Sequence, residues 1–152
     1  LTAGYLTMSA VLTTREVADT ISRGEAGVMM HGPTFMANPL SCAIAMESLK
    51  MLRETDMASR VSEIECRLKN LLAPAGQIQG VADVRVLGSI GVVEMKRPVN
   101  VGRFQKECVT RGVWIRPFGR NVYVMPPYII SDIQLEKLCN ELIDIISDED
   151  RY

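Results

Sequence analysis

The chain predicts an α+β fold, a small antiparallel or mixed sheet with helices on one face, behind a stretch that does not fit that unit. Three observations carry this. Short β-rich runs cluster in the second half, between segments with helical apolar spacing. Capping residues announce helices at Thr14, Asn38 and Ser131. The first thirty-odd residues read instead as the end of a preceding domain. The expected division is therefore a terminal piece over 1–36, a linking helix over 37–55, and a sheet-and-helix domain over 56–152.

Taken in order, residues 6–13 (LTMSAVLT) mix β-branched and apolar side chains and predict a strand. Thr14 then offers a hydroxyl cap, with Glu16 in the first turn, for a short helix to about Ser22. Residues 23–35 hold three glycines and a proline and lack periodicity, which predicts a loop able to approach a ligand closely. Asn38-Pro39 starts the next helix: Asn caps, and proline suits the first position because its missing N–H had no partner there. Leu40, Ala43, Ile44, Met46, Leu49 and Leu52 are spaced for one apolar face. After residues 54–56 a further helix runs to about Leu72, with Val61, Ile64, Leu68 and Leu71 at helical spacing, stopped by Pro74 and Gly76.

The second half changes character. Residues 81–87 and 91–95 predict strands either side of a Gly-Ser-Ile-Gly turn region, and residues 102–111 a helix closed by Gly112. Residues 113–116 and 121–125 predict short strands joined, as in a hairpin, across Pro117-Phe118-Gly119-Arg120. Ser131-Asp132 caps a last helix whose stripe is Ile133, Leu135, Leu138, Leu142, Ile145 and Ile146. The charged tail, Asp148 to Tyr152, is expected to fray.

At 152 residues, 47% hydrophobic and 23% charged, the chain can bury a core and is not composed like a disordered one. A net charge of −1 supplies no electrostatic reason for nucleic acid or an anionic membrane as partner. No apolar run approaches the roughly 20 residues of a membrane helix. Leu1 is not methionine, and the opening residues lack the basic region and cleavage pattern of a signal peptide, so a piece of a longer protein is expected. Cys42, Cys66, Cys108 and Cys139 form no C-x-x-C pair, and with His31 alone as a possible partner they do not predict zinc. Reduced, partly buried thiols in a cytoplasmic protein are the expectation.

Three segments could carry chemistry. His31-Gly32-Pro33-Thr34-Phe35 precedes a capped helix; glycine permits close approach, proline fixes one φ, and Thr34 presents a hydroxyl beside its own N–H. A phosphate needs such donors near a helix N-terminus, yet a rigid turn into a helix explains the same residues. In Trp114-Ile115-Arg116-Pro117-Phe118-Gly119, alternation puts Trp114 and Arg116 on one face. Arg116 could hold a carboxylate bidentately, or pair with a local acid, or stack on Phe118. Tyr123-Val124-Met125-Pro126-Pro127-Tyr128 is a stiff extended segment that suits core packing, subunit contact or ligand contact alike. Arg15/Glu16, Glu63/Arg67 and Glu65/Lys69 read as solvated helix faces, and the nine methionines as core fillers.

Residues 1–21 (LTAGYLTMSAVLTTREVADTI), the stretch GEAGVMMHGPTFMANPLSCAIAMESL, and the later VADVRVLGSIGVVEMKRPVN and GVWIRPFGRNVYVMPPYII resemble, in order and without large gaps, the C-terminal part of class III, fold type I aminotransferases. The HGPTF loop followed by Asn-Pro is shared across the class. The RPFG, Tyr and MPPY residues are similar to the branch that takes 8-amino-7-oxononanoate as amino acceptor and S-adenosylmethionine as donor, in biotin biosynthesis. The resemblance implies the end of a large domain binding pyridoxal 5'-phosphate, plus a C-terminal small domain with a mainly antiparallel sheet. It implies a homodimer with active sites at the subunit interface. Pro33 and Thr34 match the pair that reaches the cofactor phosphate of the neighbouring subunit, and Gly32 a position touching the amino-oxononanoate. Arg116 matches the arginine for that substrate's carboxylate, and Tyr123 a tyrosine near it. The lysine that binds the cofactor would lie upstream of Leu1; none of Lys50, Lys69, Lys96 and Lys106 stands in its context. The chain alone is thus expected to be inactive, a dimerisation or folding unit. Another class III enzyme, acting on an ω-amino acid, would share the HGPTF loop without sharing the role of Arg116.

Overall fold

Thr14 and Asn38 act as the residue types at those positions demand. In the computed structural model, which describes residues 1–148, the chain divides into two units, Leu1–Asp56 and Met57–Tyr152. In the first, helix α1 (Arg15–Arg23) starts at Thr14, whose hydroxyl accepts from the Val17 N–H at 3.4 Å. Helix α2 (Pro39–Glu54) starts at Asn38, whose side chain accepts from the Ser41 N–H at 3.1 Å, with Pro39 in the first turn.

The strand expected over residues 6–13 does not form. A strand satisfies its N–H and C=O groups only against a neighbour, and all the ladder partners in the described residues lie beyond residue 80. Val11 and Leu12 are 91% and 94% exposed. The apolar spacing of α2 is likewise real but uncovered: Ala45 is its buried residue, while Leu40, Met46, Leu49 and Leu52 are exposed.

The second unit has a core. Helix α3 (Met57–Leu72) buries Ile64, Leu68 and Leu72. Pro74 and Gly76 do not end the chain's helical course at once; it tightens into a 3₁₀ turn, Ala73–Gln77. Strands β1 (Val81–Leu87) and β2 (Ile90–Met95) pair antiparallel about a turn in which Leu87 faces Ile90 and Gly88 takes φ +55°. Helix α4 (Val101–Thr110), capped by Asn100, buries Phe104 and Cys108. Strand β3 (Asn121–Val124) adds antiparallel to β2, giving the order β1-β2-β3. Helix α5 (Asp132–Ser147) opens with a reciprocal capping box between Ser131 and Gln134. Its expected stripe holds except at Ile133, which is exposed in the first turn.

The sheet is antiparallel, and one face meets the helices: Val93, Met95, Val122 and Val124 join residues of α3, α4 and α5 in one cluster. Gly91 belongs to this contact, since a Cβ there would stand 2.5 Å from Leu72 Cδ1. The other face carries Asp83 and Arg85, Val92 and Glu94, Asn121 and Tyr123. Residues 113–116 do not join the ladder. Their alternation survives nonetheless, with Ile115 and Pro117 buried and Trp114 and Arg116 exposed.

Burial pushes the Cys139 thiol up to about 11 and raises that of Cys108; Cys42 and Cys66 are also free. Among the described residues no group of three His, Cys, Asp or Glu could hold a metal ion, and no helix is long and apolar enough to cross a membrane. The fraying expected of the tail falls, from residue 149 on, outside the described residues.

Candidate functional site

The candidate residues fall in both units. In the first, Gly32, Pro33 and Thr34 lie on the loop between α1 and α2. The Met36 N–H donates to the Pro33 carbonyl at 2.9 Å, closing a turn over Thr34 and Phe35, and Ala37 follows in the left-handed region at φ +55°. Gly32 and Thr34 are exposed and Pro33 is half-buried. A Cβ on Gly32 would meet nothing within 4 Å. Among the described residues the Thr34 hydroxyl has no hydrogen-bond partner, so it is available to a ligand. The loop thus presents a free hydroxyl and a bare backbone in front of the N-terminus of a sixteen-residue helix.

In the second unit, burial of Ile115 and Pro117 on either side turns Arg116 outward. The guanidinium has no acid partner and no ring contact among the described residues. Both ordinary explanations of an arginine here, a local acid and stacking on Phe118, are therefore unrealised. Phe118 and Asn121 exchange backbone hydrogen bonds of 2.8 and 2.9 Å, which closes the two-residue turn Gly119-Arg120, with Gly119 at φ +59°.

Tyr123 is half-buried on β3, opposite Val92, on the sheet face away from the helices. It lines a shallow cleft of about 380 Å³ with Arg85, Ile90, Val92, Phe118 and Asn121. Arg116 does not line that cleft. One group went unread in the sequence: Arg85, Glu94 and Arg120 form a cluster beside the cleft, with Glu94 bonded to both arginines. Alternation along β1 and β2 places Arg85 and Glu94 on one face, but nothing local says that they face Arg120.

The expected helix-face ion pairs are partly rearranged. Glu65 pairs with Lys69, but Arg15 pairs with Asp19, Glu63 with Arg60, and Arg67 with Asp132. The lysines, to which Lys137 on α5 must be added, are all exposed.

The family described as Aminotransferase class-III matches residues 1–146. The adenosylmethionine-8-amino-7-oxononanoate aminotransferase of Buchnera aphidicola subsp. Acyrthosiphon pisum is 47% identical over 147 residues, covering 97% of this chain and 34% of that protein. The enzyme of the same name in Corynebacterium glutamicum is 48% identical over 143 residues, 93% of this chain and 34% of its own length. Among solved structures, the adenosylmethionine-8-amino-7-oxononanoate aminotransferase of Methanocaldococcus jannaschii superposes with a TM-score of 0.83 at 26% identity, over 97% of this chain and 36% of that one. The chain spans about a third of the length of these relatives.

Proposed function

The chain belongs to the class III aminotransferase family, and from that premise we propose that it forms the C-terminal part of an aminotransferase making 7,8-diaminononanoate. The amino group would pass from S-adenosylmethionine to 8-amino-7-oxononanoate, in biotin synthesis. The observation that carries this reading is Arg116: a guanidinium turned outward by two buried neighbours, with no partner among the described residues. An arginine so placed is made for a planar carboxylate, which an amino-oxononanoate presents at the end of its chain.

Pyridoxal 5'-phosphate fits the other candidate residues. The hydroxyl of Thr34, without a partner among the described residues, the bare backbone at Gly32 and the nearby start of α2 are the donor set a phosphate needs. Bound there, the cofactor supplies the electron sink for amino-group transfer. Pro33 and Thr34 hold its phosphate across a homodimer interface, and Gly32 leaves room for the substrate. Arg116 orients the acceptor by its carboxylate, and Tyr123 offers a phenolic hydroxyl to the same substrate. The lysine that binds the cofactor comes from a part of the enzyme outside this chain, so the chain alone is a folding and dimerisation unit. The whole enzyme works in the cytoplasm.

The test is to incubate the full-length enzyme with pyridoxal phosphate, S-adenosylmethionine and 8-amino-7-oxononanoate and to weigh the product. Formation of 7,8-diaminononanoate upholds the proposal. Turnover of ω-amino acids with none of the diamine would replace it with the broader class III activity.

A further inference from the structure

Glu94 stands on β2, on the sheet face away from the helices, with Asp83 and Asn121 as its cross-strand neighbours. Its two carboxylate oxygens serve two different arginines. Oε2 accepts from Arg85 at 2.8 Å and Oε1 from Arg120 at 2.7 Å. Arg85 in turn donates to Asp83 at 2.9 Å and to the Asn121 side-chain carbonyl at 3.2 Å. One carboxylate therefore ties β1 and β2 to the turn that follows Arg116 and Pro117. The backbone holds the same turn, through Met95 N–H to the Arg120 carbonyl at 2.7 Å and Val99 N–H to the Gly119 carbonyl at 2.9 Å.

We propose that Glu94 is a positioning residue for Arg116, fixing the Gly119-Arg120 turn through the Arg120 side chain. It also engages the Arg85 and Arg120 guanidinium groups, whereas Arg116 has no partner among the described residues and is open to a substrate carboxylate. The proposal rests on the reading of Arg116 given above.

The energetics separate this role from a merely structural one. Arg85 and Arg120 are about half exposed while Glu94 is 23% exposed, and ion pairs whose cationic partners stay this open to water add little to folding stability. Their effect on the aim of a nearby side chain can be larger, because residues in one bonded network are coupled. Loss of Glu94 should thus leave the melting temperature in place and change binding of the carboxylate-bearing substrate.

The experiment compares Glu94→Gln, Arg120→Met and Arg116→Ala in the full-length enzyme, alone and in pairs with Arg116→Ala. Melting temperature, KM for each substrate and the calorimetric Kd of 8-amino-7-oxononanoate are measured. Glu94→Gln and Arg120→Met should each raise KM and Kd for the keto acid about fivefold, the scale of coupling within a network. Neither should move KM for S-adenosylmethionine, and neither should add to the effect of Arg116→Ala. Unchanged keto-acid binding in both variants overturns the proposal, as does the same rise on the Arg116→Ala background. If Arg116→Ala itself leaves keto-acid binding unchanged, the reading of Arg116 fails and takes this proposal with it.

Discussion

The two units treat apolar surface in opposite ways. In Leu1–Asp56, two capped helices form while Met30 and Phe35 remain 81% and 78% exposed and Ala45 is the sole buried apolar residue described. In Met57–Tyr152, one cluster gathers side chains from Ile64 to Ile146 across three helices and the sheet. A helix closes its hydrogen bonds within itself, so its start can be set by a local cap. Helices as short as α1 nonetheless draw most of their stability from packing, and in this chain the apolar faces of α1 and α2 are exposed. A strand or a core needs partners far along the chain, which the second unit has and the first has not.

The most severe challenge to that comparison is a cavity in one unit set against a truncation in the other. Phe104, fully buried in the core cluster of the second unit, should cost about 3–5 kcal/mol on replacement by alanine. Leu12→Ala should stay within about 0.5 kcal/mol in this chain, because Leu12 is 94% exposed. Urea titration of the two variants measures both, and similar losses would dissolve the contrast.

A smaller effect sharpens it. Ser131→Ala removes half of a reciprocal cap and should cost about 1 kcal/mol. The same loss in urea denaturation is not expected from Asn38→Ala, since helix α2 has no core whose unfolding would report it.

The smallest effect is electrostatic. Glu65 accepts from Lys69 at 2.5 Å and from the Gly88 N–H at 3.1 Å, and these hold its carboxyl below the ordinary value of 4.5. A depressed folded value means that its contribution is complete above 4.5 and is lost as pH falls through the lower, folded value. Urea midpoints taken from about pH 6 to about pH 3 should therefore fall less steeply in Glu65→Gln than in the parent chain.

The same local-versus-distant rule explains what could be read in advance. The starts of α1, α2 and α5 were legible because Thr14, Asn38 and Ser131 signal within three residues of themselves. The β1–β2 hairpin was legible because Gly88 and its neighbours make the turn and both strands adjoin it. Residues 6–13 misled because β-propensity describes a fit to a sheet that must already be there. Residues 113–116 misled more mildly: the alternation was right, but β3 takes the ladder place on β2. For the candidate site, side-chain chemistry singles out Arg116 and Thr34 as proposals, while it does not single out Glu94. Its meaning lies in Arg85 and Arg120, which sequence separation hides and the sheet brings together.

The most direct test of the functional account is the kinetic signature of Arg116→Ala in the full-length enzyme. Loss of a charged hydrogen-bonding partner should raise KM for 8-amino-7-oxononanoate about tenfold to a hundredfold and leave KM for S-adenosylmethionine unchanged. An equal rise for both substrates, or none for the keto acid, would contradict the assignment of Arg116 as the carboxylate anchor.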